Sequence, residues 1–136
     1  MSTHPYLRAY MAGVTLPAMA LLLVMTAFSV LRFACDVAVP IERAIVFPMA
    51  VVPNAWGLWN MLYLRVHARS RYPLGLHGAL LPLLLVPAGR VLAVLLLPSL
   101  SIPPFFPPTV AAVAAVVYYL LWKHAVGFFN RVLGVA

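Results

Sequence analysis

Read along its length, the chain divides into four apolar blocks, over residues 11–33, 44–64, 77–98 and 109–128. A helix needs roughly 20 residues to cross a hydrocarbon core of about 30 Å, and each block is close to that length. The pattern predicts an all-α integral membrane protein: four transmembrane helices in a bundle, forming one domain over residues 1–136 with no room for a second. Pro48 and Pro53 fall in the second block and Pro82 and Pro87 in the third. Each removes a backbone donor, so these two helices are expected to kink.

Composition agrees with this class. Hydrophobic residues make up 65% of the chain, charged residues 8%, and the mean hydropathy is +1.05, far from a soluble globular domain. The three joints differ in kind. "ACDVAVPIER" holds the only two acids, Asp36 and Glu42; "RVHARSRYPLGLH" is basic; "PSLSIPPFFPP" has five prolines and no charge.

Charge placement sets an orientation. With both termini on one side of the membrane, that side collects Arg8, Arg65, Arg69, Arg71, Lys123 and Arg131 without an acid, while Arg32 and Arg43 face Asp36 and Glu42 on the other. The positive-inside rule then puts both termini and the middle joint in the cytoplasm of a cytoplasmic-type (inner or plasma) membrane. So uneven a distribution argues against an antiparallel dual-topology dimer. The net charge of +7 sits at helix ends, with no basic run interleaved with aromatics, so the expected electrostatic partner is anionic lipid headgroups and not nucleic acid. A lipoprotein-type signal would use "LRFACD" as the cleavage box before Cys35. The apolar stretch is longer than a usual signal, and Arg32 and Phe33 are bulky for that box, so a retained first helix is expected.

Candidate chemistry centres on Arg90, alone in "LPLLLVPAGRVLAVLLLP". Counting helix rise from the outer boundary, Arg90 lies about 12 Å deep, Asn54 about 15 Å and Tyr118 about 13 Å. The shared level predicts that Arg90 points into the bundle, donates to Asn54 and to the Tyr118 or Tyr119 hydroxyl, and reaches towards Glu42 or Asp36. An unpaired arginine at that depth costs several kcal/mol. The cluster reads either as a structural clamp or as a site for an anion or amphiphile.

Trp56 and Asn60, four apart, share a helix face with Tyr63 beyond them. They line a path for a solute, or Asn60 makes an interhelical hydrogen bond while Trp59 and Tyr63 join an interfacial belt. His67, His77 and His124 share the cytoplasmic level, a weak arrangement for a metal or haem without any tight ligand motif. No cofactor or metal is expected. Catalysis is not expected either: Asp36 and Glu42 are flanked by Arg32 and Arg43, which favours ion pairing over acid–base work. Ala9 and Gly13 in the first block, and Ala111, Ala112 and Ala115 in the fourth, allow close helix approach within the bundle or between copies. The fourth block either continues as one helix past Lys123 or ends near Trp122, with "HAVGFFNRVLGV" along the membrane surface.

The function expected from these features is a non-catalytic component of a larger membrane assembly, or a homo-oligomeric structural protein. The alternative is a small carrier or channel built on Arg90, Asn54 and Tyr118.

Overall fold

The computed structural model describes residues 4–39, 41, 49–96 and 108–135. Of these described residues 87% are helical and none is in a strand. The elements are α1 (Pro5–Phe33), α2 (Ala50–Ser70), α3 (Leu74–Ala79), α4 (Leu81–Leu96), α5 (Pro108–Leu121), a π-helical turn (Trp122–Val126) and α6 (Gly127–Val132). Three stretches are long and apolar enough to cross a membrane: Pro5–Phe33, Leu74–Val91 and Thr109–Val132. α2 is 21 residues long. Its Asn54, Asn60, Arg65, His67 and Arg69 lower its hydropathy below that of the other three.

The boundaries depart from the apolar blocks where hydropathy and helix propensity part company. α1 starts at Pro5, whose fixed φ suits a first helical position, rather than at Met11. α2 continues through Ser70, so "RVHARS" is helix and the connector shrinks to Arg71, Tyr72 and Pro73. Arginine and alanine are good helix formers however polar their setting. The cations of the last turns also complement the helix dipole.

Proline acts unevenly. Pro82 has no N–H for the Gly78 carbonyl, and the third span breaks at Leu80, where Leu83 N–H turns back to the Leu80 carbonyl at 3.2 Å. Pro53, Pro87 and Pro17 lie inside helices that run on through them. Pro48 and Glu42 lie outside the described residues, as do residues 97–107 with the far end of the third block.

Two close approaches organise the bundle. Gly13 of α1 lies against the backbone of α2 at Trp56 and Gly57, and Gly57 in turn lies under the Tyr10 ring and Val14. Gly78 of α3 lies directly under the Trp122 indole, with Gly75 under the Tyr119 ring one turn away. Between these crossings Trp56, Leu81, Leu85, Trp122 and Val126 form the buried core. The packing is concentrated at one end. The buried residues of α1 are Ala9, Ala12, Gly13 and Pro17, all in its first half, whereas Leu23 is 72% and Phe33 81% exposed.

Candidate functional site

The polar groups that the fold buries belong to two constellations, both in the packed end. The first joins three helices. α2 carries Asn60 on the face turned to α1, where Ala9 has no side chain beyond Cβ, and the Asn60 Nδ2 donates to the Ala9 carbonyl at 2.8 Å. The same nitrogen donates to Asn130 Oδ1 of α6 at 2.7 Å, and Asn130 Nδ2 returns a bond to Asn60 Oδ1 at 3.2 Å. Asn60 and Asn130 are fully buried. The two amides thus form a closed reciprocal pair, and three of the four hydrogen-bonding positions of Asn60 are taken. Arg8 finishes the junction by donating to the Leu133 carbonyl at 3.4 Å, past the end of α6.

The π-helical turn makes this junction. Its wider winding lets Trp122, Val126, Gly127 and Asn130 all face inward, carrying the inner face of the last helix on past Lys123 to Asn130. The chain stays helical from Pro108 to Val132, so the continuous-helix reading of the fourth block holds for its geometry. Lys123 stays outside, with its ammonium 5.7 Å from the centre of the Tyr119 ring.

The second constellation is aromatic. Trp59 Nε1 donates to the His77 carbonyl at 2.8 Å, and the His77 ring nitrogen Nε2 meets the Trp59 carbonyl at 2.9 Å. A carbonyl only accepts, so Nε2 carries a proton. The two rings stack at 4.7 Å, with Tyr63 and Trp122 packed around the imidazole. This reciprocal pair staples α2 to α3. Tyr63 is buried here, and its hydroxyl shares His67 Nδ1 with the Tyr72 carbonyl. His77→Phe keeps the stack and loses one bond, so it is expected to cost about 1 kcal/mol, read as a small fall in Tm in mild detergent. A haem or metal on His77 would instead show as a lost absorption band or a lost metal equivalent.

The remaining predicted residues are placed as follows. Arg90 is exposed on α4, five residues beyond Leu85, which belongs to the buried core. Asn54 is exposed, its Nδ2 donates to the Ala50 carbonyl at 2.9 Å, and its Oδ1 accepts from the Tyr10 hydroxyl. Tyr118 packs its ring on Trp56 at 5.2 Å, and Tyr119 lies over Gly75. Asp36 is exposed past the end of α1, at a left-handed φ of 55°. His67 and His124 are exposed, and among the described residues no three His, Cys, Asp or Glu side chains gather where a metal would bind. Ala9 and Gly13 are buried in the α1 and α2 contact, whereas Ala111 and Ala112 are exposed and Ala115 is half-buried.

No family model, curated protein or solved structure matches this chain. Its function has to be read from the arrangement alone. Sequence reasoning found Asn60 and Trp56 but missed Asn130 and the pairing of Trp59 with His77. The Trp56 and Trp122 indole N–H groups are also buried, with no acceptor among the described residues. Each such donor costs about 1–3 kcal/mol unless something accepts from it.

Proposed function

We propose that this chain is a non-catalytic integral membrane protein of four spanning helices, acting as a subunit of a larger membrane assembly or as a homo-oligomer. It sits in a cytoplasmic-type membrane with both termini and the α2 to α3 turn in the cytoplasm. The fourth span is assigned to the apolar block 44–64, whose 21 residues are enough to cross the core, with the cations of the last turns of α2 at the headgroup level. The most buried polar residue of α2, Asn60, is turned to other helices.

The observation that carries this reading is the contrast between the two ends of the bundle. At the packed end Asn60 is paired with Asn130 and Trp59 with His77, an arrangement that holds helices together. At the other end α1 closes its own hydroxyls, Thr26 onto the Leu22 carbonyl and Ser29 onto that of Met25, and presents Leu22, Leu23, Val30 and Phe33 outward. α5 presents Ala111, Ala112, Val113 and Val116, whose small members admit a second helix at close range. A carrier built on Arg90 would need Asn54 and Tyr118 turned to a common ligand. Asn54 is instead bonded to Tyr10 and Ala50, and the Tyr118 ring is packed on Trp56.

The test is native mass spectrometry after gentle extraction. A stoichiometric foreign subunit or a defined homo-oligomer is expected. A monomer that travels with no other protein, in several mild extractions, overturns the proposal.

A further inference from the structure

α2 ends in two ridges. Arg65 and Arg69 stand four residues apart on one face, and beside them Leu62, Val66 and Ser70 form the next row. Together the five line a shallow, open cleft along the surface of this one helix. Leu62, Arg65, Arg69 and Ser70 are exposed and Val66 is half-buried. The Ser70 hydroxyl donates back to the Val66 carbonyl at 3.0 Å, so the side-chain donors facing the cleft are the two guanidinium groups.

Two like charges at this spacing repel mildly, and an anion between them reverses that cost. Guanidinium is also the group best shaped to hold a phosphate by paired N–H donors. Among the described residues no acid competes from nearby. The only described acid, Asp36, lies beyond the other end of α1, whose 29 residues extend about 43 Å, and the other acid in the sequence, Glu42, lies outside the described residues.

We propose that this cleft is a site for one anionic phospholipid, with its phosphate between Arg65 and Arg69 and its glycerol and upper acyl carbons against Leu62 and Val66. The apolar row decides for a lipid over a soluble polyanion. Leu62 lies seven residues before Arg69, about 10 Å along the helix. That is enough to pass from the headgroup layer, roughly 5–8 Å thick on each side, into the edge of the hydrocarbon. The inference rests on the membrane-embedded part of the proposed function and not on the assembly part.

The experiment reconstitutes the protein in vesicles of equimolar phosphatidylglycerol and phosphatidylcholine with matched acyl chains, then counts retained lipids by native mass spectrometry. Wild-type protein is expected to retain one phosphatidylglycerol in preference to phosphatidylcholine. Arg65→Gln with Arg69→Gln is expected to weaken that preference by about thirtyfold, two cations' worth of headgroup attraction. Lys123→Gln with Arg131→Gln removes the same charge elsewhere and should leave it intact. Equal retention of both lipids by the wild type, equal loss in the two double variants, or displacement by inorganic phosphate each overturns the site. The subunit count in the same spectra reports separately on the assembly. Both arginines are exposed, and an unchanged thermal transition confirms that the variants fold.

Discussion

Gly78→Val is expected to be the most damaging single substitution in the described part of the chain, costing about 3 kcal/mol or more by overpacking. A Cβ at position 78 falls among the Cβ, Cγ and Cδ1 atoms of Trp122. Trp122 is fully buried, with Trp56 at 5.4 Å and His77 at 5.9 Å, so the ring has nowhere to go and the helices must separate. Gly13 is the comparable position at the other crossing. A Cβ there would stand 2.5 Å from the Trp56 carbonyl oxygen and 2.9 Å from the Gly57 Cα, and backbone cannot rotate away. Two substitutions bracket the effect. Gly75→Ala meets the ring of Tyr119, which is only half-buried and can swing, so a smaller loss is expected. Gly127→Ala meets Leu74 at an ordinary 3.5 Å and gains up to about 1 kcal/mol of helix propensity. Thermal unfolding in mild detergent, followed by circular dichroism, should rank the four with Gly78 and Gly13 lowest and Gly127 at or above wild type. A Gly78→Val protein that melts with the wild type would mean that α3 and the π-helical turn are not packed in this way.

These glycines show where sequence reading stops. Apolar blocks locate helices because hydrocarbon accepts little else, and three of the four blocks correspond to helical stretches long and apolar enough to cross a membrane. A kink was expected at Pro82, which cannot donate to the preceding turn, and the helix instead breaks two residues earlier, at Leu80. Gly75 and Gly78 carry no such mark. Their meaning lies in the aromatic rings opposite them, more than forty residues away in sequence. Ala9 and Gly13 were legible as packing residues, but their exposed counterparts Ala111 and Ala112 have the same pattern, so spacing alone does not say which stripe finds a partner.

The polar residues divide in the same way. A shared depth suggested that Asn54, Tyr118 and Arg90 meet; depth fixes one coordinate of a side chain, and rotation about each helix axis fixes the other. Tyr10 takes Asn54, and Trp56 takes the face of Tyr118. Asn130 did leave a trace: Trp122, Val126 and Asn130 recur every four residues and all three are buried. The polar neighbours Lys123, His124 and Arg131 obscured it by making the segment resemble a surface helix.

The Asn60 and Asn130 pair yields the second large effect, best read as a double-mutant cycle. Asn60→Leu removes the donor to the Ala9 carbonyl and leaves the Asn130 amide buried without its partner, for an expected loss of about 1–3 kcal/mol. Asn130→Leu strands Asn60 in the same way, although Asn60 keeps its bond to Ala9, so its loss should be the smaller of the two. In the double variant neither amide remains to be orphaned, and leucine has the same number of side-chain heavy atoms as asparagine and branches at the same carbon. The combined loss should therefore fall short of the sum of the singles, with a coupling within the 0.5–3 kcal/mol seen for contacting residues. Hydrogen bonds between membrane helices are often weaker than their burial suggests, about 0.6 kcal/mol on average, because the unfolded chain also finds partners in the bilayer. A coupling near that figure means the pair mainly selects which faces of α1, α2 and α6 meet; one above about 1.5 kcal/mol makes it the main lock on the packed end. Strict additivity would show that the two amides do not touch, and would remove the clamp on which the proposed structural role depends.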